Sequence, residues 1–261
     1  MKALRPTEQK LNEKEVFGFD VETYGVENRF LFGSITHRGK AVLFFSEEAF
    51  KEEVVKKKYM DNLIIATNLS FDFFSVMFDS QELMQFKTIF RDSMMLGAVT
   101  GIKDGKMDKK GKHLLTFSDS LNYCPFSVEK MGKILGKKKL DKPKALGKIP
   151  KNKEEWHEII EYNIRDSEIT EEFTRERLFK GFRELGGDYR ITIGATAVSI
   201  FTNKYLDDTY YVQSEAQILE QREGYYGGRT EVFTRGLIKD YNYYDINSVY
   251  AYSMIKEFPN R

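Results

Sequence analysis

Glu15-Val-Phe-Gly-Phe-Asp-Val-Glu22 is the stretch that decides the fold, because it alternates apolar side chains with two acidic ones and then turns at Gly25. Residues two apart in a β-strand point to the same face, so Asp20 and Glu22 project side by side. The alternate apolar side chains then face the core. Two adjacent carboxylates repel each other unless a proton or a cation lies between them. A hard divalent cation is one answer, although a D-x-E triplet also arises by chance.

Strand-forming segments continue beyond this stretch. We predict strands at 29–36, 41–45 and 63–66, with a hairpin turn at 37–40, and further strands across 87–120 around a lysine-rich loop. Helices are predicted at 47–58, 68–78, 127–136 and 153–185, the last ended by Gly186-Gly187. Strands followed by a sequence-distant helix indicate an α/β fold with a mixed sheet and flanking helices.

The composition changes after Gly187. A helix is predicted at 190–206, and a tyrosine-rich, strand-like segment at 225–250. We therefore expect two domains, 10–187 and 188–261.

The overall composition excludes several classes of protein. Hydrophobic residues make up 41% of the 261 residues and charged residues 31%, which is typical of a globular chain. The formal net charge of +1 gives no global basic field, so any nucleic-acid binding has to be local. A single cysteine rules out a disulfide within the chain and a cysteine-based zinc site. No signal peptide or membrane-length apolar run is visible, so we expect an intracellular protein with no membrane partner.

Asn68-Leu-Ser-Phe-Asp72 follows the predicted strand at 63–66 directly. Ligand sites in α/β sheets favour such strand ends. Asp72 lies among phenylalanines, which argues against a casual surface charge. The alternative is a helix start in which Asn68 or Ser70 serves as the N-cap.

The long predicted helix carries one charged residue on an apolar stripe. Spacings of three and four define that stripe. A buried carboxylate is costly unless it is paired or bound to a metal. The alternative is an aspartate bonded to a backbone amide or to Arg165. The stripe consists of Ile159, Tyr162, Asp166, Ile169 and Phe173.

D-x-E on a strand, N-x-x-F-D after a strand and Y-x-x-x-D on a helix together resemble the three exonuclease motifs of the DEDD superfamily. The resemblance implies an RNase H-like fold and two divalent cations, Mg²⁺ or Mn²⁺. It implies that Asp20, Glu22 and Asp166 hold the first cation, with Asp20 bridging. Asp72 would act on the second cation through water.

The chemistry of such a site explains its four acids. Two cations about 3.5–4 Å apart clamp the attacking and leaving oxygens of an in-line displacement. The resemblance implies that Tyr162 positions the attacking water. It also implies that Asn68 and Phe71 hold the frayed 3′ end of the substrate.

Three further segments resemble family-B DNA polymerases. The first is Tyr225-Tyr-Gly227-Gly228-Arg229, which is similar to the Y-x-G-G motif that touches the template strand. Glycines there let backbone approach phosphate, while tyrosine and arginine supply stacking and charge. The alternative is a Gly-Gly turn with core tyrosines.

The second segment, beginning at Asp245, resembles polymerase motif A, usually D-x-x-S-L-Y-P, with Val249 in place of Leu and Ala251 in place of Pro. The third, Ser120-Leu121, resembles the single-stranded-DNA-binding element of protein-primed polymerases.

The resemblance also implies a lysine in the exonuclease site, for which Lys139, Lys142 and Lys144 compete. Lys142 is included among the expected DNA-binding residues.

The resemblance ends just after motif A, without the segment that supplies the other polymerase carboxylate. Asp245 is then a vestigial motif-A residue, and we do not expect this chain to polymerise alone. A fragment, a split subunit and a degenerate copy all fit this pattern.

The sequence therefore predicts a metal-dependent 3′→5′ DNA exonuclease, the proofreading domain of a family-B DNA polymerase, which releases nucleoside monophosphates from single-stranded 3′ ends. Expected partners are a single-stranded 3′ end or primer-template, and the remaining polymerase portion or a second subunit. One alternative is a nuclease-inactive module that binds DNA or a polymerase. Another is an RNA-directed exonuclease of the same superfamily.

Overall fold

A computed structural model of the chain describes residues 3–7, 14–78, 80–211, 213–224, 236–237, 239–240, 242 and 244–255. The chain separates into two compact units, Met1–Val212 and Gln213–Arg261. No helix among the described residues is both long and apolar enough to cross a membrane.

The strands of the first unit lie largely where the sequence predicts them. They are β1 Ala3–Leu4, β2 Val16–Tyr24, β3 Arg29–His37, β4 Lys40–Phe44, β5 Leu63–Ala66, β6 Lys87–Arg91, β7 Met94–Lys103, β8 Lys106–Met107, β9 His113–Asp119 and β10 Tyr210–Tyr211.

The four helices predicted in the first 185 residues are present. The α-helices of the described residues are α1 Glu47–Val54, α2 Leu69–Met77, α3 Val128–Leu135, α4 Lys153–Phe173, α5 Lys180–Glu184, α6 Ile193–Ile200, α7 Glu215–Glu223 and α8 Val249–Met254. A π-helical segment, Thr174–Phe179, joins α4 to α5, so the predicted long helix runs on to Glu184.

One mixed sheet organises the first unit. Its strand order is β4-β3-β2-β5-β9-β7-β6, and β8 pairs with β7. The central strands β2, β5 and β9 run parallel to one another, whereas the outer pairs are antiparallel. The carboxyl ends of these three parallel strands therefore meet at one edge of the sheet.

Helices cover both faces of this sheet, as the alternation in β2 predicts. Phe17, Phe19 and Val21 pack in the main core with buried residues of α1 and α2. Val16 belongs to a second cluster on the other face, with residues of the α4–α5 helical segment. The predicted stripe of α4 is buried along its whole length.

Helix α4 lies unusually close to β2. A β-carbon added to Gly18 would lie 2.1 Å from the backbone oxygen of Ser167, so only glycine permits this approach. The hydroxyls of Ser167 and Thr36 lie 2.8 Å apart, and those of Thr170 and Thr67 3.0 Å apart. These contacts fix the position of α4 along the sheet.

The second unit contains α7 and α8 among its described residues. No strand is found in the described part of 225–250, and Val249 and Tyr250 begin α8, so the strand prediction is wrong there. Tyrosine-rich segments form strands only where a neighbouring strand accepts them. The Y-x-G-G segment, with Tyr225, Gly227, Gly228 and Arg229, lies outside the described residues. Asp245 is exposed.

Candidate active site

Five predicted residues from three distant segments line one open groove at the carboxyl ends of the parallel strands. Asp20 and Glu22 come from β2, Asp72 from α2, and Tyr162 and Asp166 from α4. The structure therefore brings together every residue to which the sequence assigns catalysis or metal binding.

Asp72 is buried, and its position is fixed by backbone. Its Oδ1 accepts a hydrogen bond of 3.1 Å from the amide of Val21, the residue between the two strand acids. The hydrogen bond ties the first turns of α2 to β2. Asp72 is therefore held against Asp20 and Glu22 rather than directed to solvent.

Asp119, which the sequence analysis missed, organises the turn before Asp72. Its carboxylate accepts hydrogen bonds from the amides of Asn68 at 3.2 Å, Leu69 at 2.9 Å and Leu121 at 2.9 Å. A buried aspartate at the end of β9 thus satisfies the N-terminus of α2. Asp119 ends β9, and the pairing of β9 with β5, which the sequence does not reveal, brings it beside this turn.

The carboxylate of Asp119, rather than a side chain of Asn68 or Ser70, therefore caps the N-terminus of α2. Asn68 adopts a left-handed backbone conformation with φ of 72° and makes no side-chain cap. The hydroxyl of Ser70 instead accepts a hydrogen bond of 3.2 Å from the amide of Met95. Phe71 is 38% exposed and lines the groove, whereas Asn68 is exposed next to Thr67 but does not line it.

Lys139 is the lysine that enters the site. Its ammonium forms an ion pair with Oδ2 of Asp166 and lies 4.8 Å from the ring centroid of Tyr162. Lys142 and Lys144 are exposed. Arg165, the alternative partner of Asp166, instead lies near Glu168, at 3.8 Å.

The loop that carries these lysines returns to the groove. The amide of Gly25 donates a hydrogen bond of 3.1 Å to the carbonyl of Gly147. Leu146 and Gly147 line the groove beside the acids. The end of this loop therefore forms part of the groove wall, and the loop is anchored by Lys139 at Asp166 and by Gly147 at Gly25.

Ser120 and Leu121, the predicted DNA-binding pair, lie beside this site but are buried to different extents. Ser120 is fully buried, and its hydroxyl lies 2.9 Å from that of Thr67. Leu121 is half-buried. Thr67 itself lines the groove, so Ser120 supports the groove floor from beneath. A DNA contact by this pair, like one by Lys142, stays a prediction.

The electrostatics of the groove disfavour four ionised acids. Burial raises the pKa of Asp20 well above its ordinary value, and the carboxylates of Asp72, Glu22 and Asp166 raise it further. Burial also raises the pKa of Asp72, although the amide of Val21 opposes this. The negative charge of the groove is therefore under-compensated in the protein alone.

Glu22 and Asp166 each have a neighbouring donor. Burial raises the pKa of Glu22 to about 7, although the nearby side chain of Asn163 lowers that pKa. Burial likewise raises the pKa of Asp166, although the ion pair with Lys139 lowers that pKa. The pKa of Lys139 is raised, because its contacts with Asp166 and Tyr162 outweigh its burial, so it stays protonated.

The donor set fits hard cations, but as it stands it is engaged by the chain itself. Among the described residues, no group of three or more His, Cys, Asp or Glu side chains is arranged to hold a cation directly. Lys139 occupies one oxygen of Asp166, and Asn163 donates to Asp20 at 2.6 Å. The second oxygen, Oδ1 of Asp166, is buried without a hydrogen-bond partner. Carboxylate oxygens of this kind are the ligands that Mg²⁺ and Mn²⁺ prefer.

Comparison with solved structures defines the class of this fold. The chain is similar to phi29 DNA polymerase complexed with primer-template DNA and incoming nucleotide substrates, with a TM-score of 0.61 and 19% sequence identity. The same polymerase complexed with single-stranded DNA gives a TM-score of 0.57, also at 19% identity. The matches cover 84% and 83% of this chain but only 40% of the polymerase. They confirm the predicted α/β fold class with a mixed sheet and flanking helices.

A family comparison adds a relationship by sequence. Residues 136–261, which include Lys139, Tyr162 and Asp166, match the family described as DNA polymerase type B, organellar and viral. The predicted resemblance to family-B DNA polymerases is thereby confirmed. No curated protein sequence matches the chain.

Proposed function

We propose that the chain is a metal-dependent 3′→5′ exonuclease of a family-B DNA polymerase, which hydrolyses phosphodiester bonds at single-stranded 3′ ends of DNA. The observation that carries the proposal is the convergence of four carboxylates, from β2, α2 and α4, in one open groove. Acids this close to one another are costly in a folded protein unless cations are bound between them.

We assign each residue of the groove a separate role in the proposed reaction. Asp20, Glu22 and Asp166 would hold one divalent cation, and Asp72 would act on a second through water. Bound cations would supply an activated water and charge stabilisation at the leaving oxygen. The hydroxyl of Tyr162, on the same wall as Asp166, orients that water. Each of these roles rests on the placement of the side chain and on the motif that it matches.

The remaining groups would receive the strand. Phe71, 38% exposed, offers a ring on which the terminal base stacks, and such stacking tolerates any sequence. Asn68 beside it offers an amide to the terminal sugar. Lys139 places its ammonium against Asp166, and it can turn toward the negative charge that develops on the phosphate.

DNA is the proposed substrate because of the comparisons. The similar polymerase structures are complexed with single-stranded DNA and with primer-template DNA. The match to a DNA polymerase family over 136–261 points the same way. The Y-x-G-G segment and Asp245 are proposed to correspond to the template-binding motif and to motif A of such polymerases.

We place the functional boundary near residue 188, with the exonuclease at 10–187 and the beginning of a palm-like region at 188–261. The structural division falls later, after Val212, because β10 pairs with β1 and so adds residues 188–211 to the first unit.

A nuclease-inactive DNA-binding module is the second candidate. It is favoured by one observation, the ion pair by which Lys139 already neutralises Asp166. Such a module would bind a 3′ end in this groove without cutting it.

Digestion of matched DNA and RNA oligonucleotides tests the proposal. Each is labelled at the 5′ end and incubated with Mg²⁺ or Mn²⁺, beside an EDTA control. We expect a cation-dependent ladder that shortens single-stranded DNA from its 3′ end and shortens RNA much more slowly. Cation-dependent binding without cleavage favours the second candidate. Faster digestion of RNA indicates an RNA-directed exonuclease.

A further inference from the structure

Asn163 is a fully buried amide at the centre of the acidic groove, and no motif used above includes it. It lies on α4 between Tyr162 and Asp166 and has no exposed surface. Its Nδ2 donates a hydrogen bond of 2.6 Å to Oδ2 of Asp20. The amide therefore holds one acid of β2 directly, and Glu22 lies two residues further along the same face of the strand.

The close approach of α4 to β2 puts Asn163 in this position. Ser167, one helical turn later, lies against Gly18, where a β-carbon would clash with its backbone oxygen. Asn163 is then level with Asp20, two residues along the strand on the same face as Gly18. The hydrogen bond to Asp20 follows from this register of helix on strand.

The orientation of the amide is set by the acids. The NH₂ group of Asn163 faces β2, where a carboxylate oxygen of Asp20 accepts its hydrogen bond. Its carbonyl oxygen then points away, and it is buried without a hydrogen-bond partner. An unsatisfied buried carbonyl is costly for a fold, and a nonpolar side chain of similar volume would avoid that cost. Packing alone therefore does not explain an asparagine here.

We propose that Asn163 is a positioning residue, whose NH₂ group holds the carboxylate of Asp20 in the orientation in which it binds a divalent cation. The inference rests on the proposed function. It extends the proposed function, because it assigns the orientation of Asp20 to Asn163, a residue of α4 that does not itself bind the cation.

The test separates cation binding from stability in the full chain. Asn163→Leu removes the NH₂ group and the unsatisfied carbonyl together, and Asn163→Ala serves as a second variant should leucine not be accommodated. Mn²⁺ affinity is measured by electron paramagnetic resonance without nucleic acid, and Tm is measured in EDTA. We expect Mn²⁺ to bind about 10–100-fold more weakly, the usual effect of losing a hydrogen bond to a metal ligand. The Tm has to show a cooperative folded state of Asn163→Leu, because leucine leaves Oδ2 of Asp20 without its donor and so costs some stability.

Ser167→Ala is the matched control. Ser167 lies one turn away on α4, and its hydroxyl bonds to Thr36 rather than to an acid. We expect this variant to lower Tm and to leave Mn²⁺ affinity within about threefold, because no metal ligand loses a partner. Mn²⁺ affinity in Asn163→Leu equal to or tighter than wild type overturns the inference, as does an equal loss in Ser167→Ala. Digestion by the wild type, which tests the proposed function, is a separate measurement.

Discussion

Lys139 forms an ion pair with Asp166 inside the groove, and its ammonium lies 4.8 Å from the ring centroid of Tyr162. The lysine belongs to the loop after α3, whereas both partners belong to α4. The ion pair therefore joins the loop wall of the groove to its helix wall, at the carboxylate where the second oxygen has no hydrogen-bond partner.

We expect Lys139→Met to lower kcat for digestion of single-stranded DNA by about 10²–10³-fold, the usual cost of losing one charged donor near a reacting phosphate. The side-chain volume is nearly retained, so the fold should survive. Single-turnover digestion at saturating DNA measures the effect.

Lys142→Met is the matched control, because Lys142 is exposed three residues away on the same loop. We expect kcat to stay within about threefold of wild type, with weaker DNA binding that depends on salt. A larger loss of kcat for Lys142→Met than for Lys139→Met would contradict the assignment of the site lysine.

The acidic groove predicts that the cation-free protein loses stability as the pH rises. Glu22 has an ordinary pKa of 4.5 and a folded-state pKa of about 7, so the folded state binds more protons than the unfolded state between these values. The stabilising contribution is complete below pH 4.5 and is lost by about pH 7. The shift corresponds to roughly 3 kcal/mol at most, and Tm in EDTA should fall by several degrees between pH 5 and 8.

Glu22→Gln removes this titration, together with the charge by which Glu22 raises the pKa of Asp20. We expect its Tm to fall less than that of the wild type over the same pH range. We also expect Mn²⁺ to raise the Tm of the wild type more at pH 8 than at pH 5, since cations bind ionised carboxylates. Parallel pH profiles for the two proteins would contradict the assignment of the shift to Glu22.

Gly18→Ala tests how strictly the site depends on the approach of α4. The added β-carbon would meet the Ser167 backbone oxygen at 2.1 Å, so the helix has to move away from β2. We expect the free energy of unfolding to fall by about 1–3 kcal/mol. Hydrolysis should fall as well, because Asp166 moves with the helix. Chemical denaturation and digestion measure the two effects.

Gly181→Ala is the control for that substitution. Gly181 lies in α5 with open space around it and without a positive φ. Alanine there should stabilise the protein by up to about 1 kcal/mol, as expected in a helix interior. An unchanged stability in Gly18→Ala would show that the helix does not need the close approach.

Local sequence patterns were sufficient to predict most of the fold and of the groove. Period-two alternation in β2 gives the common face of Asp20 and Glu22, and the stripe of α4 gives the burial of Asp166. Both depend only on residues close in sequence.

Other features depend on contacts between distant segments and were not predicted. Asp119 is recognised only when β9 lies beside β5, and Asn163 only when α4 is in register with β2. Lys139, rather than Lys142, contacts Asp166 because of the path of an irregular loop. A loop path of this kind leaves no periodic pattern in the sequence.

Digestion of a 5′-labelled single-stranded DNA by the wild type, Asp20→Asn and Asp166→Asn, with Mn²⁺ and with EDTA, tests the central claim most directly. Asp141→Asn, at an exposed aspartate of the nearby loop, is the control. We predict a Mn²⁺-dependent ladder shortening from the 3′ end for the wild type and the control, and intact DNA for the two groove variants, all four proteins being folded. The same ladder from Asp20→Asn, or intact DNA with folded wild type, would contradict the claim that these carboxylates form an exonuclease site.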